Sequence, residues 1–205
     1  MKKSKTDVER LKSDILDTAL EVFLTKSYSE VNIKDISDRL GITRTPIYYH
    51  FTSKYEIYSQ VAESYLMKKI NVFREVLMKE DDFYHKIRQD LSLCTRQAIS
   101  ENIIFSEIST NPELEEVLQW RKETFDTIFS LKLAAVRTAV KRGELAPDVD
   151  EYELVNYLYL LHFGFLEMQQ CTYHQFSSEI IDTLIDRQIE NIRALYGRKD
   201  VETAR

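Results

Sequence analysis

Apolar residues recur at helical spacing almost from the start of the chain. Leu11, Ile15, Ala19, Val22 and Phe23 line one side of a segment from about residue 8 to 26, which predicts an amphipathic helix. Ile33, Ile36 and Leu40 repeat the pattern in a shorter segment behind Asn32, and Asp35 stands three residues on in a capping-box arrangement. Gly41 supplies the positive φ that a sharp turn between helices needs. Thr43 then serves as N-cap of a third helix, with Pro46 at its third position, where no intrahelical donor is lost. In that helix Ile42, Ile47 and Phe51 make the apolar side, while Arg44, Thr45, Tyr48 and Tyr49 share the opposite surface. Ser53 opens a fourth helix with Glu56 as its reciprocal capping partner.

Further along, the chain reads as helix throughout, punctuated by only four glycines and three prolines in all. The fourth helix is expected to run to about Lys79, a fifth to cover about 83–99 and a short sixth about 101–109. Asn111-Pro112-Glu113 caps a long seventh helix that ends near Arg142, with Gly143 as its terminator. An eighth is expected from about Asp150 to Cys171 and a ninth from Ser177 to Gly197. The fold class is therefore all-α, with about nine helices. Residues 1–53 form a three-helix, helix-turn-helix domain with a basic tail at 1–7, and residues 54–205 form a second helical domain.

The third helix carries the chemistry. A guanidinium at Arg44 suits a guanine edge, a Thr45 or Pro46 carbon suits a thymine methyl, and the Tyr48 and Tyr49 phenols suit phosphates. The net charge of −6 opposes nucleic-acid binding only if it is spread evenly over the chain. Residues 1–60 hold ten Lys/Arg against nine Asp/Glu, residues 61–205 eighteen against twenty-five, and no acid stands between Asp38 and Glu56. Local charge at the third helix thus favours a polyanion. Lys2, Lys3 and Lys5 form a small basic arm in front, readable as a groove-seeking arm or as a solvated tail.

Residues 11–60 resemble the DNA-binding domain of the TetR family of bacterial transcriptional regulators. The resemblance lies in the Ala19/Phe23 spacing, Val31-Asn32-Ile33-x-x-Ile36, Leu40-Gly41-Ile42-Thr43, Ile47-Tyr48-Tyr49-His50-Phe51 and Ser53-Lys54. Ser27 departs from it, standing where a glycine usually closes the first helix, as do Thr45-Pro46 and Tyr55. The resemblance implies that Arg44 and Thr45 read bases, with Thr43 and Pro46 beside them. It implies that Tyr48, Tyr49 and His50 meet phosphates, that Lys54 clamps the DNA backbone, and that Asn32 offers a helix N-terminus to a further phosphate. It also implies a cytoplasmic regulator with a small-molecule effector held in the second domain.

The last two helices are apolar around more than one face. Leu158, Leu161, Phe165 and Met168 on one, with Ile181, Leu184, Ile185 and Ile192 on the other, are expected to form a homodimer interface as a four-helix bundle. For the effector, Phe105, Trp120, Phe125, Phe129, Tyr157 and His162 are the candidate pocket residues, with Cys94 nearby in character, although such residues are more often core than pocket wall. A two-fold dimer would read a palindromic operator and let go of it when effector changes the spacing of its reading helices.

Catalysis finds no support: there is no Gly-rich phosphate loop, nucleophile elbow or His-Glu-x-x-His, and no cofactor motif. Cys171-x-x-His174 is half a metal site without a second half, and two cysteines do not make a disulfide framework. No run reaches bilayer-spanning length, so a soluble protein is expected. The remaining alternative is a constitutive or architectural DNA-binding protein without a ligand, and activation stays open beside repression.

Overall fold

The computed structural model describes residues 5–170 and 177–199. Among the described residues there are eight α-helices and one 3-10 turn. They are α1 (Lys5–Phe23), α2 (Ile33–Leu40), α3 (Arg44–His50), α4 (Lys54–Met78), α5 (Phe83–Ile104), the turn Pro112–Leu114, α6 (Glu115–Arg142), α7 (Glu151–Gln170) and α8 (Ser178–Tyr196). None of these helices is long and apolar enough to cross a membrane.

Most boundaries fall where capping chemistry puts them. Gly41 follows α2 in the left-handed region at φ 70°, its amide donating to the Asp38 carbonyl, and Ile42 N–H reaches back to Ser37 O at 3.0 Å. Gly143 closes α6 in the same way at φ 73°. Asn111 Oδ1 accepts from Glu113 N–H at 3.1 Å, with Pro112 starting the turn behind it. One expected boundary is absent. The helices anticipated at 83–99 and 101–109 are a single helix ending at Ile104, followed by turns, because no Gly or Pro interrupts the segment before Pro112. Nor does Ser27 need the glycine conformation: no described non-glycine residue has positive φ, and its amide donates to Glu30 at 2.9 Å to shape the turn.

The chain packs as two units. One contains α1–α3, α4 as far as Lys69, and residues Ser100–Thr124. Its core joins Ile15, Ala19 and Phe23 of α1 to Ile36, Ile47, Phe51 and Ile57. At its centre Tyr58 packs edge-on to Phe23, 5.0 Å between ring centroids, lies 4.9 Å from Tyr28, and donates its hydroxyl to Ile104 O at 2.8 Å. That bond satisfies the one polar atom of a fully buried ring. The unit built on the helix-turn-helix therefore takes in more of the chain than the DNA-reading segment itself.

The second unit holds Ile70–Ile99 and the described residues from Phe125 on. Its core contains Phe73, Leu77, Phe83, Ile87 and Leu91, packed with Val136, Leu154, Leu158, Phe165, Ile185 and Ile192. Four of the expected interface residues are thus interior. Leu158, Ile185 and Ile192 are fully buried within one chain, and Phe165 nearly so. Apolar helices offer two faces, and packing against α4–α6 decides which one turns inward. Leu161, Ile181 and Leu184 are partly buried against the same core, and the exposed apolar residues described on α7 and α8 include Leu160, Phe163, Ile180 and Leu195. The side chain of Met168 lies outside the described residues, as do Cys171 and His174.

Within this apolar core sits a charge pair. Lys132 Nζ donates to Asp90 Oδ2, with Lys132 2% and Asp90 0% exposed. Asp90 Oδ1 is also buried and accepts no hydrogen bond among the described residues. Removing one member strands the other charge, so Asp90→Ala should cost about 3–5 kcal/mol in urea unfolding. Asp90→Leu with Lys132→Met should recover most of that loss. Additive rather than compensating single-site costs would show that the two charges are not coupled.

Candidate nucleic-acid interface

Local sequence chemistry builds a rigid mount for α3. Asn32 N–H donates to Asp35 Oδ2 at 2.8 Å, the side-chain half of the expected capping box, and Lys26 Nζ pairs with Asp35 at 3.0 Å. The Asn32 amide first, and Lys26 after it, hold the Asp35 carboxyl below the usual range. Arg39 reaches Glu21 at 2.7 Å and ties α2 to α1. At the other end Glu56 accepts from both the amide and the hydroxyl of Thr52, at 2.7 and 2.8 Å, while its own amide donates to Ser53 Oγ at 3.0 Å. The Thr52 bonds lower the Glu56 carboxyl likewise.

From this mount α3 projects an accessible face. Ile47 and Phe51 are buried in the core, while Arg44, Thr43 and Thr45 are exposed and Pro46 is half-buried. Tyr48 is 55% and Tyr49 77% exposed, unusual for large aromatic side chains and the clearest sign of a contact surface. The Tyr49 ring stands edge-on to the half-buried His50 at 5.2 Å, so these two are placed side by side. Thr43 has extended N-cap geometry, but its side chain makes no capping bond. The first amides of α3 therefore remain available to an acceptor from outside.

Arg44, Tyr48, Asn32, Lys34 and Lys54 line one shallow cleft of about 490 Å³ beside the start of α2. Lys34 is paired with Asp38, but Arg44 makes no hydrogen bond or ion pair with the described residues. Lys54 is differently placed. Its Nζ donates to Tyr28 O at 2.8 Å and Val31 O at 3.0 Å, and sits 4.2 Å from the centre of the Tyr28 ring. Two of its three N–H bonds thus hold the loop between α1 and α2, leaving the third for a ligand. Sequence spacing could not reveal this internal role, because the two carbonyls lie 26 and 23 residues away. The arrangement can cradle an anionic backbone and offer a guanidinium and small side chains to base edges in a major groove.

The residues expected around an effector do not form one group. Phe105 belongs to the core of the first unit, 5.8 Å from Tyr65, and Trp120 is half-buried in that unit beside Tyr55 and Glu116. Phe125, Phe129 and His162 lie in the second unit around Tyr159, with ring separations of 6.4, 5.8 and 6.4 Å. Tyr157 is on the far side of α7. Its hydroxyl donates to Gln188 at 3.1 Å and its ring lies toward Tyr196, because two residues along a helix turn a side chain to the opposite face. Tyr159 and the Asp90–Lys132 pair were not anticipated. Lys132 Nζ lies 5.4 Å from the Tyr159 ring centre, and burial, followed by the charge of Asp90, pushes the Tyr159 phenol well up. The signal was legible: Ile87-x-x-Asp90-Leu91-x-x-Cys94 puts an acid inside an apolar stripe.

Comparison with known proteins agrees with this geometry. Residues 15–61 match the family described as bacterial regulatory proteins, tetR family. The transcriptional repressor BepR of Brucella suis is 23% identical over 174 residues, covering 81% of this chain and 83% of its own. The transcriptional regulator SrpR of Pseudomonas putida is 33% identical over 63 residues, which is 31% of this chain and 30% of that protein. Among solved structures, a transcriptional regulator from Saccharomonospora viridis in complex with choline superposes with a TM-score of 0.76 at 19% identity, over 93% of this chain and all of that one.

The lowered carboxyls of Asp35 and Glu56 have a signed consequence. A folded value below the unfolded one stabilises the helix-turn-helix above the ordinary carboxylate range of about pH 4, and the contribution disappears as pH falls through the folded value. Acid titration followed by far-UV circular dichroism should therefore show wild-type stability falling more steeply below pH 4 than that of Asp35→Asn with Glu56→Gln. Parallel curves would mean that the caps are not coupled to folding.

Proposed function

The chain belongs to the TetR family of bacterial regulatory proteins, and on that premise we propose that it is a cytoplasmic, ligand-responsive repressor that binds a palindromic operator as a homodimer. It is a DNA-binding transcriptional regulator. The observation that carries the reading is the solvent-facing surface of α3: two exposed tyrosines and an unpaired arginine on a helix anchored from behind by Ile47 and Phe51. In the proposed complex Arg44, Thr45 and Pro46 meet base edges. Thr43, Tyr48, Tyr49 and His50 meet phosphates, joined by Asn32 at the head of α2 and by the remaining N–H of Lys54.

Two copies are needed because one seven-residue helix reads few bases, each good contact discriminating by about 1–3 kcal/mol. The exposed Leu160, Phe163, Ile180 and Leu195 support α7 and α8 as the dimerising helices, with Leu161, Ile181 and Leu184 at the edge of that surface. Residues 54–205 then carry regulation and dimerisation, and residues 1–53 the reading of DNA. For the effector, the ring cluster of Phe125, Phe129, Tyr159 and His162 supports an aromatic-walled site, with the unpartnered oxygen of Asp90 as a polar anchor. A choline complex among proteins of the same fold is consistent with ligand control.

Selection from random duplex DNA with the purified chain should enrich one two-fold symmetric sequence, and sedimentation should show two chains per duplex. Enrichment of an asymmetric site by a single chain would overturn the dimeric reading, and no enrichment would overturn the regulator. On the enriched duplex, Arg44→Ala should relax preference at one base position by about 1–3 kcal/mol. Lys54→Ala should weaken every sequence alike and lower the slope of log K against log salt by about one unit. It should also lower thermal stability, since it releases the Tyr28 and Val31 carbonyls. Identical behaviour of both variants on matched and scrambled duplexes would refute the division into base and phosphate contacts.

A further inference from the structure

The loop between α1 and α2 is gripped from two directions. Lys54 holds the carbonyl side. From the other side, the segment between α5 and α6, which belongs to the same packing unit, delivers the carboxylate of Glu107. Glu107 accepts from the Ser29 amide with both oxygens at 3.2 Å and from Ser29 Oγ at 2.5 Å. Burial alone would raise the Glu107 carboxyl, but bonds from Ser27, Ser29 and Asn111 outweigh it and hold it below the usual range.

These bonds converge on Lys54. Tyr28 offers its carbonyl to Lys54 Nζ and its ring to the same ammonium. Val31 accepts the second Lys54 bond and is followed directly by Asn32, the cap of α2. Moving residues 27–31 would therefore move the phosphate-facing side of the cleft. By charge alone, a carboxylate in a unit that meets a polyanion opposes binding. The favourable contribution of Glu107 is positional, since it immobilises a loop that would otherwise have to be ordered when DNA arrives.

We propose that Glu107 is a positioning residue of the DNA interface, clamping the α1–α2 loop so that Tyr28 and Lys54 set the phosphate cleft, and that the segment joining α5 to α6 is thereby a control point for operator affinity. The proposal rests on the reading of this chain as a DNA-binding regulator. It assigns the segment a role that neither the recognition helix nor the effector candidates supply.

The test uses the full chain with the duplex enriched by selection and a scrambled duplex of equal length. Glu107→Gln weakens the clamp bonds, and Ser29→Ala is a milder version of the same cut. Glu115→Gln removes an acid of the same stretch that makes no side-chain bond to the loop. A charged hydrogen bond lost from the clamp should weaken the enriched duplex by about tenfold. The scrambled duplex should change little, so specificity falls, while Glu115→Gln should leave the ratio of the two affinities intact. Hydrogen exchange at residues 27–35 should quicken in the clamp variants alone. If Glu107→Gln and Glu115→Gln shift both duplexes together, the carboxylates act by charge and the proposal is overturned. Wild-type affinity for the enriched duplex in Ser29→Ala would overturn it as well, even were Glu107→Gln to misfold. Failure of the wild-type chain to enrich any duplex is a separate result: it removes the DNA-binding reading, and this proposal with it.

Discussion

A helix of seven residues is too short to be stable on its own in water, yet the reading face of this protein is such a helix. Everything it presents depends on being pinned from behind. Ile47 and Phe51 do this by burial, and they are buried against a core that α1 and α4 complete through Phe23, Tyr58 and Tyr28. Because the hydrophobic anchor occupies one side of α3, the other side is free to be polar, aromatic and exposed. The unusual exposure of Tyr48 and Tyr49 is the direct counterpart of the complete burial of Ile47.

Charge is managed by position rather than by total. The chain is acidic, but the acids nearest the reading face are already engaged: Asp35 with Lys26 and the Asn32 amide, Asp38 with Lys34, and Glu56 with Thr52. Arg44 is left without an acidic partner. Lys54 spends two bonds on carbonyls and pairs with no carboxylate among the described residues, so its positive charge is kept while its position is fixed. A fixed cation is a better phosphate ligand than a mobile one, because less conformational freedom is lost on binding.

The second unit handles polarity differently. Its core contains a lysine–aspartate pair and the phenol of Tyr159 amid aromatic and aliphatic neighbours. Such groups are expensive to bury, and one oxygen of Asp90 stays without a partner. A purely structural core of this size would be better served by apolar side chains. Polar groups held ready inside an aromatic cluster are what a regulated binding site requires.

The sequence by itself determined the local elements and singled out the candidate reading helix. Caps, glycine turns and apolar periodicity depend on neighbours within about one helical turn, so Asn32, Gly41, Thr43, Ser53, Asn111 and Gly143 could be assigned without coordinates. The exposed surface of α3 followed from the same short-range logic. Only the tertiary structure decided how each side chain is used. It turned Leu158, Phe165, Ile185 and Ile192 inward, separated Tyr157 from the other aromatic candidates, joined Asp90 to Lys132, and committed Lys54 to the loop of Tyr28 and Val31. Those outcomes depend on partners tens of residues away, and a helix that is apolar on more than one face has no local rule to say which face becomes the core.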